Sequence, residues 1–174
     1  MKKSIIKFLM KVYLKMRKGW DPLTVPSKIR DEFNVKMNDF SKRINSMPYK
    51  SDPLKGLLDN TADPNTFFDN KEYNRDCDDF QRMWSWWGVF NGYKAKEYVI
   101  CDPTTVRTAF QTMHVIGTLE KDGKFYLTNY RPSGPFDSEK KALEQMAKYH
   151  TYKDDRVIVY YREITMNEGI IDIS

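Results

Sequence analysis

The chain has 174 residues, of which 40% are hydrophobic and 14% aromatic, a composition typical of one globular domain and not of a disordered chain. The net charge of +5 is uneven, because residues 1–18 carry seven basic side chains and no acidic one. The remaining residues carry 22 basic and 24 acidic side chains, which argues against a nucleic-acid-binding surface. Two cysteines and two histidines are too few to indicate a disulfide framework or a structural zinc site.

Residues 4–18 are predicted to form a basic amphipathic helix. Its lysines recur every three or four residues: Lys7, Lys11, Lys15 and Lys18. Its apolar side chains line another face: Ile5, Phe8, Leu9, Val12 and Met16. Such a helix packs on its own domain, or contacts a membrane surface or a partner. A signal peptide is disfavoured because lysines interrupt the apolar stretch. No apolar run in the sequence is long enough to span a membrane. Together these two observations favour a cytoplasmic location.

We assign residues 1–20 to this N-terminal helix and residues 21–174 to a single domain, because Gly19-Trp20-Asp21-Pro22 breaks the helical pattern. Ser27 is a candidate cap for a long core helix, and apolar residues follow it at helical spacing: Ile29, Phe33, Met37, Phe40 and Ile44. A short helical element is predicted after the start signal at Asp63-Pro64-Asn65-Thr66.

The segment Asp76-Cys77-Asp78-Asp79 is predicted to begin an amphipathic helix, with Asp76 or Cys77 near its N-cap. The apolar face of this helix follows at spacings i, i+3, i+4 and i+7: Phe80, Met83, Trp84 and Trp87. The helix dipole lowers the pKa of a thiol at this position, whereas the neighbouring carboxylates raise it. A lone cysteine is also commonly a small buried hydrophobic residue, so Cys77 fits both a nucleophile and a core position.

The C-terminal half changes to strand-like patterns. Strands are predicted over residues 98–100, 112–119, 124–130 and 156–162, with a hairpin turn at Lys121-Asp122-Gly123. Asp137-Ser138-Glu139 is predicted to cap a last helix that carries apolar residues at helical spacing: Ala142, Leu143, Met146 and Ala147. Helices followed by an antiparallel sheet with one late helix predict an α+β fold.

A cysteine nucleophile needs a base and a third group that orients the base. His114, in a predicted strand, is a better base candidate than His150, because the helix dipole explains a histidine at the end of a helix. A two-residue turn at Asp122-Gly123 would put Asn129 on the face of His114, and a three-residue loop would put Thr128 there. Asn129 is favoured because its amide oxygen accepts a hydrogen bond from an imidazole N–H.

These residues resemble the bacterial transglutaminase-like cysteine peptidase family. The resemblance covers residues 29–131 and rests on four motifs of the chain: Phe67-Phe68-Asp69-Asn70, Asp76-Cys77-Asp78-Asp79-Phe80, His114-Val115 and Gly123-Lys124-Phe125-Tyr126-Leu127-Thr128-Asn129-Tyr130-Arg131. It implies a papain-like or transglutaminase-like α+β fold, with the nucleophile helix packed on an antiparallel sheet. The implied activity is hydrolysis of a peptide or isopeptide amide through a thioester, with a protein or peptide as substrate and no required cofactor.

The catalytic aspartate of that family falls on Thr128 in this chain. Asn129 could replace it, or Cys77 and His114 could work as a dyad. The domain could also be a degenerate, non-catalytic member that binds a membrane or a protein through residues 1–18, or a transglutaminase that uses an amine acceptor.

Some family members depend on calcium, and by position Asp76 and Asp79 would be the ligands, with Asp78 a weaker candidate. The alternative is that these carboxylates are solvated residues of a first helical turn, where acidic side chains are favoured.

Overall fold

Helices pack on an antiparallel sheet in this α+β protein, as predicted. The computed structural model describes residues 3–16, 23–24, 27–50, 64–70, 75–150, 157–167 and 170–173. The helices are α1 (Lys3–Met16), α2 (Ser27–Phe33), α3 (Met37–Asn45), α4 (Pro64–Asp69), α5 (Cys77–Phe90), α6 (Val106–Gln111) and α7 (Glu139–His150). The strands are β1 (Leu23–Thr24), β2 (Lys94–Cys101), β3 (His114–Lys121), β4 (Lys124–Asn129), β5 (Arg131–Phe136), β6 (Val157–Asn167) and β7 (Ile170–Ile173). Within these ranges the strands form one sheet in the order β1-β7-β6-β2-β3-β4-β5.

Helix α5 lies at the centre of the fold and is buried on every side from Asp78 to Val89. The predicted apolar face is in the core, where Phe80 and Trp84 pack with the aromatic side chains of α2 and α3. The opposite face, which the amphipathic pattern assigned to solvent, is buried as well because it packs against the sheet. Its polar side chains therefore need hydrogen-bond partners inside the protein.

The long helix predicted after Ser27 is divided into α2 and α3 by Asn34, Val35 and Lys36. Side chains of the α5 region hold the backbone at this break. Asn91 Nδ2 donates to the carbonyl oxygen of Phe33 at 2.9 Å, and Trp87 Nε1 donates to that of Val35 at 3.0 Å. Carbonyl groups that a continuous helix would use internally are thus bonded to residues more than 50 positions away.

The β3–β4 hairpin turns through two residues, Asp122 and Gly123, with φ values of 52° and 71°. Positive φ at both positions is the backbone of the turn that Asp-Gly favours between strands. The strand register that follows pairs Gly117 with Thr128. The two-residue alternative predicted from the sequence is therefore confirmed.

Gly117 allows β3 to approach α5 closely. A Cβ atom at this position would overlap the side-chain amide of Gln81 and would lie 2.8 Å from the carbonyl oxygen of Lys96. Because the carbonyl oxygen of Lys96 belongs to the backbone of β2 and cannot move aside as the Gln81 side chain can, a larger residue at position 117 would disturb the pairing of β3 with β2.

Alternation along β2 separates the two faces of the sheet. Ala95 packs in the core around α5, and Cys101, on the same face, packs with Ile6 and Met10 of α1. Tyr98 points the other way and packs with α7. Helices α1 and α5 therefore lie on one face of the sheet and α7 on the other. Helix α7 begins at the predicted cap and ends at His150, whose side chain lies outside the described residues.

A buried ion pair lies between α5 and the sheet. Arg162 Nε donates to Glu97 Oε2 at 2.8 Å, and Ser85 Oγ donates to Glu97 Oε1 at 2.7 Å. Burial lowers the pKa of Arg162 to about 9, although Glu97 opposes the shift. The guanidinium consequently remains charged at neutral pH and depends on the carboxylate beside it.

Candidate active site

Cys77 is the first residue of α5, and a reciprocal cap fixes the backbone around it. The Asp76 side chain accepts a hydrogen bond from the Asp78 N–H at 3.4 Å, and Asp79 Oδ2 accepts one from the Asp76 N–H at 3.1 Å. The predicted helix start is confirmed. The thiol of Cys77 therefore lies at the positive end of a helix dipole, which favours the thiolate.

The two cysteines differ in access to solvent. Cys77 is partly exposed, whereas Cys101 is fully buried under α1. Neither residue is in a disulfide. Of the two, only Cys77 is therefore open to a substrate or an alkylating reagent.

His114 and Asn129 are joined by a hydrogen bond of 2.8 Å between Nε2 of the imidazole and Oδ1 of the amide. An amide oxygen only accepts, so Nε2 carries the proton. In the neutral ring, Nδ1 is then the nitrogen with the lone pair, which is the atom that can take a proton from a thiol. This bond follows from the two-residue turn, which puts Asn129 on the face of His114.

Tyr130 is a neighbour of His114. Its ring centroid is 5.8 Å from that of His114, and its pKa is raised first by burial and then by the neighbouring Cys77 thiolate. Its backbone is left-handed, with a φ of 59°. The carbonyl oxygen of Tyr130 accepts hydrogen bonds from Trp84 Nε1 at 3.2 Å and Asn45 Nδ2 at 3.0 Å, which hold this conformation. Tyr130 was not predicted from the sequence to be a site residue.

Tyr49 is a second aromatic residue at this site that was not predicted from the sequence. Its ring centroid is 5.8 Å from that of Tyr130, and 56% of its surface is exposed. Burial of the hydroxyl raises the pKa of Tyr49, and the Cys77 thiolate raises it further. Tyr49 is therefore an exposed ring at the rim of the site, where a substrate side chain could contact it.

Thr128 lies on the other side of β4 from Asn129. It is fully buried, and its hydroxyl donates to Gln81 Oε1 of α5 at 3.0 Å. Asn129, not Thr128, is therefore the residue that bonds His114. Thr128 instead links the hairpin to α5.

Replacing Thr128 by aspartate, the residue of the resembled family, is expected to destabilise the protein and not to improve the site. The introduced carboxylate would be buried against Gln81, at a cost of about 2–4 kcal/mol at pH 7. Burial would raise its pKa above that in the unfolded chain, so the cost should shrink as the pH falls toward 4. Urea unfolding at pH 7 and pH 4 measures both effects.

Thr128→Val is the matched control, because it keeps the shape and removes only the hydroxyl. We expect it to cost about 1–2 kcal/mol at either pH, mainly from the acceptor left on Gln81. A Thr128→Asp protein as stable as Thr128→Val at pH 7 would contradict this account of the position.

The acidic residues at the start of α5 include the predicted calcium ligands Asp76 and Asp79. The side-chain ligand atoms of Asp76, Cys77 and Asp78 lie within 4.8 Å of one another. Asp79 is buried, and its carboxylate accepts the Asp76 N–H in the helix cap. Calcium prefers six to eight oxygen ligands, whereas this set offers two carboxylates and a sulfur. The donor set fits a hard cation poorly, and calcium remains a prediction from the family resemblance.

Comparisons of the chain with protein-family models, with curated proteins and with solved structures found no match. The resemblance to transglutaminase-like cysteine peptidases therefore remains a prediction from the sequence motifs. Among the helices that the structure describes, none combines the length and the hydropathy needed to cross a bilayer.

Proposed function

We propose that the protein is a cysteine hydrolase of the transglutaminase-like, papain-like type, which cleaves a peptide or isopeptide amide through a thioester. The observation that carries the proposal is the 2.8 Å hydrogen bond from His114 to Asn129. This bond orients the imidazole, whose ring centroid is 5.8 Å from that of Tyr130. After burial, the negative charge of an ionised Cys77 is the next cause that raises the pKa of the same tyrosine. A nucleophile, a base and a group that orients the base are the parts that acyl transfer requires.

In the proposed reaction, the Cys77 thiol gives its proton to Nδ1 of His114, and the thiolate attacks the amide carbonyl carbon. Backbone N–H groups at the start of α5, including that of Cys77, donate to the oxyanion. The imidazolium of His114 then protonates the leaving amine as the C–N bond breaks. Water attacks the resulting thioester and gives a proton to His114, and His114 returns this proton to the sulfur as the C–S bond breaks, which releases a carboxylic acid and restores the thiol. An amine that replaces water in this step would make the reaction a transamidation.

Asn129 orients the histidine without adding a negative charge. A carboxylate in this role would stabilise the imidazolium electrostatically, whereas a neutral amide supplies only a hydrogen bond. Stabilisation of the thiolate therefore depends more on the helix dipole at Cys77 and on its pairing with the imidazolium.

We expect a thiol-directed peptidase inhibitor of the epoxide class to label the protein at neutral pH and Cys77→Ser to abolish the label. The physical reason is that the partly exposed Cys77 is the accessible thiolate, whereas Cys101 is buried. Intact-mass measurement followed by peptide mapping locates the modified residue.

Cys101→Ser is the matched control for this experiment. It removes the other cysteine without touching the proposed site, and its labelling should equal that of the wild-type protein. Equal labelling of the wild type and Cys77→Ser would remove the basis for the proposed function.

A further inference from the structure

Helix α1 carries an apolar stripe that the domain leaves exposed. With 100° between successive residues, four side chains share this stripe. The exposed fractions are 46% for Ile5, 65% for Phe8, 47% for Leu9 and 37% for Val12. The face predicted from the sequence to be the apolar face of the helix is thus open to solvent.

A different face of α1 holds the helix on the domain. Ile6 and Met10 are 1% and 2% exposed and pack with Cys101, Ala109 and Val159. The ring of Tyr13 makes an edge contact with that of Phe110, at a centroid distance of 5.1 Å. The helix is therefore fixed along one side, and the exposed stripe projects from another.

Lysines border the exposed stripe. Lys3, Lys7 and Lys11 are exposed and follow one another at intervals of four residues, which puts them on one line along the helix. Lys11 lies three residues after Phe8 and is its neighbour on the helix surface. No acidic residue occurs in residues 1–18 to offset this charge.

We propose that α1 is an interfacial helix that binds the protein to an anionic phospholipid surface. Apolar side chains of such a helix enter the boundary between headgroups and acyl chains, and the lysines beside them attract anionic headgroups. A helix that already lies on its own domain presents a stripe and not a whole helix. That geometry fits a flat bilayer surface better than a protein groove that encloses a helix.

The contact between α1 and the domain adjoins the candidate active site. Met113, which packs against the cluster around Ile6 and Met10, directly precedes His114. Cys101 of the same cluster follows Ile100, the residue that pairs with His114 across the sheet. Binding through α1 would consequently hold the candidate site near the bilayer. The lipid proposal itself does not depend on catalysis.

Flotation of the full chain with phospholipid vesicles tests the proposal. We expect the wild-type protein to float with vesicles of phosphatidylcholine mixed with phosphatidylglycerol and not with phosphatidylcholine alone. Phe8→Ser/Leu9→Ser should abolish flotation, because it removes the two most exposed side chains of the stripe. Lys7→Glu/Lys11→Glu should lower the partition coefficient by roughly 25-fold or more, since each lysine near such a surface contributes about fivefold.

Tyr161→Ser is the matched control. This ring is 59% exposed and contacts Tyr98, on the face of the sheet opposite α1. It should float as the wild-type protein does, and circular dichroism should show that all variants remain folded. Absence of wild-type flotation with the mixed vesicles, or equal flotation of Phe8→Ser/Leu9→Ser and the wild type, would overturn the proposal. A dimer that Phe8→Ser/Leu9→Ser converts to a monomer, without wild-type flotation, would instead assign the stripe to a second copy of the chain.

Discussion

Replacing His114 by alanine is expected to raise the pH at which Cys77 becomes reactive. In the proposed mechanism the imidazolium and the helix dipole stabilise the thiolate of the wild-type protein, so half-maximal alkylation should occur below pH 7. Without the imidazolium, the pKa of the thiol should return to about 8.5 or higher, because Asp76 and Asp78 stand beside it. At pH 6 the alkylation rate should therefore fall by about 30-fold or more, because a thiol of pKa 7 is about 9% ionised at that pH and one of pKa 8.5 about 0.3%.

The measurement is the rate of iodoacetamide alkylation of Cys77 between pH 5 and 10, followed by mass spectrometry. His150→Ala removes the other histidine and should leave the profile unchanged. Asn129→Ala should give an intermediate shift, because the imidazole remains but loses the bond that orients it. Superimposable profiles for His114→Ala and the wild type would show that His114 does not act on the thiol.

The Glu97→Gln substitution is expected to cause the largest loss of stability, about 3–5 kcal/mol. It leaves the Arg162 guanidinium charged and buried without the carboxylate that now compensates it. A loss of this size is a large fraction of the free energy of unfolding of an ordinary domain. Urea unfolding at pH 7 measures the change.

Glu163→Gln is the surface comparison, because Glu163 is 52% exposed and pairs with Lys96 at 3.5 Å. This variant should lose less than about 1 kcal/mol. Adding Arg162→Met to Glu97→Gln should recover part of the loss, since neither buried charge then remains. If Glu97→Gln lowers the free energy of unfolding no more than Glu163→Gln does, Glu97 does not stabilise the protein by compensating the buried charge of Arg162.

The hydrogen bond between His114 and Asn129 could be predicted from the sequence because it depends only on the turn and the register of one hairpin. Asp122-Gly123 favours one turn type, the turn determines the register, and the register selects Asn129 over Thr128. The start of α5 was equally accessible, because a carboxylate at Asp76 and another at Asp79 are a local capping signal.

Other features depend on contacts between distant parts of the chain. The apolar spacing from Ile29 to Ile44 is helical throughout, yet Trp87 and Asn91 hold the carbonyl groups where the helix breaks. The left-handed backbone of Tyr130 likewise depends on donors from Trp84 and Asn45. No pattern around either segment indicates those partners, so sequence reasoning could not predict them.

The sequence likewise did not indicate which side of α1 docks on the domain. The broadest apolar face of an isolated amphipathic helix is usually its buried face. Here a smaller apolar face, that of Ile6 and Met10, packs with Cys101 and Ala109 instead. The side chains that cover this face come from distant parts of the chain, and the sequence of one helix does not indicate them.

The close approach of β3 to α5 at Gly117 has a consequence for the geometry of the proposed reaction. Gly117 is three residues after His114 on its strand, and Gln81 is four residues, about one helical turn, after Cys77. In the proposed reaction, this contact between α5 and β3 would help to set the position of the Cys77 sulfur relative to the His114 imidazole. A methyl group added at position 117 would push the Gln81 amide away from its hydrogen bond with Thr128, and this would loosen the link between α5 and the hairpin although Cys77 and His114 would both remain.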